Sequence, residues 1–193
     1  FKRLVALAMT AAIAVGIVLS GQSTSASAEP FKLNGDPKIA WIYFSEVNDG
    51  GWTQAIDEAR QRMESDLGLE ITWVEKIPEV ASQVTNAADR LIRRGHNIII
   101  GGAFGHSDAF KTLSEKYPDV AFLNPAGTTN GANLNGFYGR TYESQYLCGI
   151  AAGGLTKSNK IGFVAANPFG LVNWTVNAYL LGAVSVPPPP IPS

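Results

Sequence analysis

Ile39–Arg60 reads IAWIYFSEVNDGGWTQAIDEAR, and the order of residue types in this stretch decides the fold class. The apolar run Ile39–Phe44 predicts a buried strand, Ser45–Gly51 a polar turn, and the residues from Trp52 onward an amphipathic helix. Open α/β folds place their ligands at the carboxyl end of a strand, where such a turn leads into a helix. Trp52 stands at that place and has two readings: a platform for a planar ligand, or a cap over the core beneath its helix. Asp49 can accept from ligand N–H or hydroxyl groups, while the amides of the helix start donate. Asn48-Asp49-Gly50-Gly51 is equally good turn chemistry.

The same alternation continues outward. Further strands are predicted at Ile71–Glu75, Asn97–Ala103, Val120–Asn124 and Lys160–Ala166, several of them apolar throughout, as strands covered on both faces are. Between them, Ile56, Ala59, Met63 and Leu67 recur at helical spacing and stop at Gly68. Val80, Val84, Ala87, Ala88 and Leu91 do the same and end at Gly95, with Pro78-Glu79 suited to the first turn. Ser107–Lys116, Tyr142–Leu155 and Phe169–Gly182 complete the helices. Repeated β-α-β units imply a parallel sheet flanked by helices. The pattern lapses between Asn124 and Gly139 into a Gly/Asn/Thr-rich loop with a short Phe137-Tyr138 segment, as at a crossing from one lobe to another.

The loop Gly101-Gly102-Ala103-Phe104-Gly105 lacks the Gly-Lys-Ser/Thr ending of a phosphate loop and the spacing of the dinucleotide fingerprint. Its glycines are expected to let the backbone pass close to a ligand or a neighbouring strand. His106 lies at the ligand-side edge and is a binding or helix-capping candidate, whereas His96 reads as a solvated connector. Asp57 and Glu58 read as the solvated face of a helix. No metalloprotease helix or nucleophile elbow is present, so no catalytic group, metal or cofactor is expected.

Residues 1–28 read as a secretory signal peptide. Lys2 and Arg3 precede the uncharged run Leu4–Leu19, and Ala26-Ser27-Ala28 offers a cleavage site. Gln22 stands where a lipid-bearing cysteine would be, so an exported chain without a membrane anchor is expected. Removing the two cations takes the net charge from −1 to −3, with no basic stripe for nucleic acid. Cys148 is alone, which excludes an internal disulfide. About 160 residues follow the cleavage site, enough for a sizeable core. The tail Pro187–Ser193, PPPPIPS, breaks in composition from everything before it and reads as a frame slip near Val186.

Taken in order, several segments resemble one family. They are Asn48-Asp49-Gly50-Gly51-Trp52-Thr53, Gly95-His96-Asn97-Ile98-Ile99 leading to Ala103-Phe104-Gly105, and Lys116-Tyr117-Pro118-Asp119-Val120-Ala121-Phe122. Tyr142-Glu143-Ser144-Gln145-Tyr146-Leu147-Cys148-Gly149, Lys157–Ala165 and Asn177-Ala178-Tyr179 follow. The chain resembles the basic membrane protein family of ABC-transporter substrate-binding proteins, whose well-known members bind purine nucleosides. The resemblance implies a type I periplasmic-binding-protein fold: two α/β lobes, with ligand in the cleft between them. Its division here is a first lobe at 37–140, a hinge-proximal helix and crossover at 141–159, and the start of a second lobe at 160–186.

The resemblance also implies that Trp52 stacks on the base, with Asn48 and Asp49 as polar partners, Phe104 on the same wall and Trp174 on the other lobe. With Ser45 at the strand end and His106, these are the candidate ligand-binding residues. The implied function is a monomeric periplasmic receptor that delivers a purine nucleoside, or a related flat heterocycle, to an ABC permease by ligand-stabilised closure. Two alternatives stand beside it: an exported α/β enzyme acting on nucleosides, and a receptor that reports to a membrane signalling protein. Family members continue well past this chain, so weak binding and exposed apolar surface are expected of it.

Overall fold

The computed structural model describes residues 30–187. The chain divides into two compact units, Phe1–Phe31 and Lys32–Ser193. The first unit lies almost wholly outside the described residues, and with it the signal-peptide expectation; most of the proline tail lies outside as well.

Five strands form one parallel sheet: β1 (Ile39–Ile42), β2 (Thr72–Val74), β3 (Ile98–Gly101), β4 (Ala121–Pro125) and β5 (Leu134–Phe137). Their spatial order is β2-β1-β3-β4-β5. Every pairing is parallel, with Ala40 opposite Thr72 and Ile99, and Phe122 opposite Leu134. The central strand is apolar throughout because both of its faces are covered. Ala40 and Ile42 join Ile99 and Phe122 in one core layer, while Ile39, Trp41, Tyr43 and Ile100 build the other. This is the period of two expected of a strand buried on both sides.

Helix α1 (Trp52–Leu67) supplies Ile56 and Met63 to the second layer. Helices α2 (Ala81–Arg93) and α3 (Ser107–Lys116) close the first layer with Val84, Ala88, Leu91, Phe110 and Leu113. α1 ends at Gly68, whose φ of 64° is left-handed and favours glycine. α3 occupies the span read from the sequence and stops before Pro118. α2 starts at Ala81, with Pro78 and Glu79 in the preceding loop rather than in its first turn.

Three expectations are corrected. β5 lies in the Gly/Asn-rich stretch read as a loop. Its place is set by neighbours: Asn130 accepts from the Gly136 N–H at 2.9 Å. The Asn133 amide nitrogen lies 3.1, 2.9 and 2.8 Å from the carbonyls of Ser114, Tyr117 and Val120. Replacing Asn133 by alanine strands those carbonyls and is expected to cost roughly 1–3 kcal/mol, checked by urea unfolding.

The second correction is Lys160–Ala166, which forms no strand. No neighbouring strand pairs with it among the described residues, and Val164 is 100% exposed. An apolar run becomes a strand only when its backbone groups find partners.

The third is the buried stripe of α1, which is polar. Thr53, Asp57 and Arg60 are buried, whereas Ala59 is exposed and Leu67 is 61% exposed. Asp57 is therefore no solvated carboxylate. It accepts from Tyr43 Oη at 3.1 Å, Arg60 Nε at 2.6 Å and Gln61 Nε2 at 2.6 Å. Burial pushes its carboxyl up, but the Arg60 and Gln61 donors outweigh burial and hold it below the usual carboxylate range. Tyr43 is raised by burial first and by the Asp57 charge second.

Past the sheet, α4 (Thr141–Leu155) packs against α5 (Gly170–Val184). Their backbones touch. A Cβ on Gly149 would meet the Tyr179 carbonyl oxygen, and one on Gly182 the Tyr146 carbonyl oxygen. The outer sides of this pair carry bare apolar residues, with Leu147 65%, Leu155 78%, Leu181 60% and Val184 69% exposed. No helix among the described residues is long and apolar enough to cross a membrane.

Candidate functional site

The carboxyl ends of β1, β3, β4 and β5 open into a cavity of about 450 Å³. Phe44, Ala103 and Ala126 form part of its lining on the sheet side, and Phe163, Asn167 and Phe169 part of it from the segment leading into α5. Its volume lies in the range of small-molecule sites, and its walls are mostly apolar, as such sites are.

Trp52 stands on one wall. Its Nε1–H donates to the Gly102 carbonyl at 2.7 Å, which fixes the indole, and the side chain keeps 40% of its surface exposed. The ring is not sealed into the core under its helix. It lies 6.3 Å from the Tyr138 ring at an angle of 20°, and both residues line the same cavity. Phe104 is likewise in the lining, and its ring stacks on Phe169 at 4.0 Å and 7°. The second aromatic wall is thus supplied by Phe169, the residue before α5. Trp174, on that helix, is 54% exposed and outside the lining.

Ser45, Asn48 and Asp49 also fall outside the lining. Asp49 is engaged as the cap of α1: Oδ1 accepts from the N–H groups of Gly51 at 2.9 Å and Gln54 at 3.1 Å, and Oδ2 from Thr53 at 3.2 Å. Burial acts to raise its carboxyl, yet these donors hold it below the usual range. Its work in this structure is to start the helix that presents Trp52.

His106 does not face the cleft. It is fully buried on the short 3-10 turn Phe104–His106, and its Nδ1 accepts from the Gly102 N–H at 3.2 Å. Burial pushes the imidazole down to about 4, opposed only in part by the Ile77 backbone, and Nε2 makes no hydrogen bond. The neutral ring is needed because Nδ1 must accept. The folded state therefore binds the proton less readily than the unfolded chain. Stability is complete above about pH 6.5 and is lost as pH falls toward about 4, by roughly 3 kcal/mol in all. Urea unfolding across that window is expected to show this slope, and His106→Gln to flatten it.

His96 is also buried, at 5% exposure, with Nδ1 2.8 Å from the Leu91 carbonyl, rather than a solvated connector. The glycine loop is filled by the protein itself. A Cβ at Gly101 would come within 2.6 Å of Asn124 Oδ1, and one at Gly102 within 2.8 Å of the Ile42 carbonyl oxygen. The Gly102 and Gly105 amides donate to His106 and Glu79, so neither is left for a phosphate.

Of the lining residues the sequence reading names only Trp52 and Phe104 as candidates, and three of the others bear on the site's chemistry. Tyr138 follows β5, and a strand missed is a strand end missed. Glu79 lies in the loop before α2, although its sequence suits the helix's first turn. Phe169 immediately precedes α5, where the sequence pattern starts the helix. For Tyr138 and Glu79 the usable signal is the rule that ligand sites gather beyond strand ends, and it needs the strand order first; Phe169 follows no strand and carries no such signal.

The chain matches the model of one family, ABC transporter substrate-binding protein PnrA-like, over residues 37–189. It is 37% identical over 150 residues to a Haloferax volcanii protein named as an ABC transporter glucose-binding protein, covering 77% of this chain and 38% of that one. It is 32% identical over 153 residues to a purine-binding protein of Brucella abortus, covering 78% and 43%. Among solved structures, a solute-binding protein of an ABC transporter system from Aeropyrum pernix shares the fold, with a TM-score of 0.65 at 18% identity over 77% of this chain and 43% of that one. The chain therefore spans about four-tenths of the length of these two curated relatives. With a parallel α/β sheet, a cleft beyond its strand ends and a family match along most of its length, the chain belongs to the Bmp family of ABC-transporter substrate-binding proteins.

Proposed function

We propose that this chain forms the ligand-gripping part of a periplasmic receptor that hands a purine nucleoside, or a related flat heterocycle, to an ABC importer. The observation that carries the reading is the pair of near-parallel rings, Trp52 and Tyr138, whose centroids lie 6.3 Å apart in the cleft. Both rings line the cavity, and together they offer an aromatic surface on which a planar guest packs. The mechanism is binding without chemistry. Ligand stabilises the closed arrangement of lobes, and the permease recognises that arrangement.

In this reading the first lobe is 37–140, the hinge-proximal segment 141–159 and the start of the second lobe 160–186. The receptor acts as a monomer, exported by cleavage after Ala28. Asp49 starts the helix that presents Trp52, and Phe104 lines the wall beside it, while Ser45, Asn48, His106 and Trp174 stay outside the lining. The purine-binding name of the Brucella abortus relative supports the ligand class.

A second reading, a hexose, has its own support in the name of the Haloferax volcanii relative, because aromatic faces also pack on sugar rings. Saturation-transfer NMR with adenosine, guanosine, adenine and glucose separates the two, since it registers weak and tight binding alike. Transfer to the purines with none to glucose is expected. Transfer to glucose alone replaces the ligand class.

A further inference from the structure

Among the described residues seventeen line the cleft, with Glu79 the single charged group and no lysine, arginine or histidine beside it. Its carboxylate is anchored at one end: the Gly105 N–H donates to Oε1 at 2.7 Å. Gly105 is shaped for that approach, because a Cβ there would lie 2.7 Å from Glu79 Cβ and 2.8 Å from Oε1. Any residue but glycine pushes the carboxylate away. The other oxygen, Oε2, receives no hydrogen bond and no cation among the described residues. Glu79 is exposed, so Oε2 stays open to water and to a ligand at the cleft; a carboxylate accepts only, and one that no cation neutralises favours donors and repels anions.

We infer that Glu79 is the specificity-determining residue of this cleft: Oε2 accepts an N–H or O–H from the rim of a flat ligand held against Trp52, and its charge excludes ligands that carry phosphate. The inference rests on the proposed binding of a purine nucleoside and adds which chemical form is taken. It selects the free nucleoside or base over the nucleotide, and a donor-bearing edge over one that presents acceptors alone.

The test is ligand-observed NMR titration of the chain with adenosine and with adenosine 5′-monophosphate. Glu79→Gln suits it, since the glutamine carbonyl still accepts from Gly105 while its NH2 replaces the acceptor facing the ligand. The parent chain is expected to prefer adenosine by tenfold or more. Glu79→Gln is expected to lose about tenfold for adenosine, the worth of one hydrogen bond to a charged group, and to narrow the gap between the two ligands. Glu79→Asp keeps the charge on a shorter stem, so it should still exclude the monophosphate while holding adenosine less well. Adenosine affinity and ligand preference unchanged in Glu79→Gln overturn the role of Glu79 and leave the proposed function standing. Failure of the parent chain to bind adenosine or any purine overturns both.

Discussion

Trp52→Ala is expected to remove purine binding, with a loss of at least about thirtyfold. Truncating a central aromatic in a binding pocket commonly costs 2 kcal/mol or more. Here it deletes one face of the Trp52–Tyr138 pair and leaves the Gly102 carbonyl without its indole donor. Trp52→Phe separates the two effects. It keeps a face for stacking and loses the Nε1–H that ties the indole to the Gly102 carbonyl, so it is expected to bind purine better than the alanine variant while costing about 1 kcal/mol of stability. Adenosine titrations on both variants, alongside urea unfolding, distinguish a lost platform from a lost fold. An alanine variant that binds adenosine as the parent does removes Trp52 from the site and returns the indole to its reading as structural filler.

Placing a side chain between α4 and α5 is expected to give the largest loss of stability. A methyl on Gly182 runs into the Tyr146 carbonyl, and one on Gly149 into that of Tyr179. Backbone cannot swing aside as a flexible side chain can, so the helices must separate. Gly182→Ala is expected to cost up to about 3 kcal/mol, a fall of roughly 6–12 °C in the melting temperature of a chain this size. Gly154 is the control, since nothing lies within 4 Å of its Cβ position. Gly154→Ala should be neutral or stabilise by about 0.5–1 kcal/mol, because alanine restricts the unfolded chain and favours helix. Thermal melts followed by circular dichroism read both. Equal effects for the two substitutions would mean that α4 and α5 do not touch at their glycines.

The exposed leucines and valine on that helix pair agree with the apolar surface expected for this region, and the reason was visible in composition. α5, reading GLVNWTVNAYLLGAV, is apolar on nearly every side, and such a helix wants more cover than one neighbour supplies.

Local patterns in the chain were enough to determine the alternation of strand and helix, the doubly covered centre of the sheet, the stops at Gly68 and before Pro118, and the family. All but the family depend on residues within one or two turns of each other: an apolar run, a helical spacing, a residue that alone tolerates a left-handed φ; the family rests on the order of segments along the chain. The tertiary structure decided the rest. β5 exists because β4 offers it a partner and Asn133 holds the turn beside it. Lys160–Ala166, more apolar, finds no partner and stays out of the sheet. Asp57 and His106 look like surface polar residues until Tyr43 and Gly102 are brought against them. Tyr138 and Glu79 enter the site only when strand order sets them opposite Trp52 and Phe104. A side chain's identity announces what it can bond to, but only its packed neighbours determine whether water or protein is the partner.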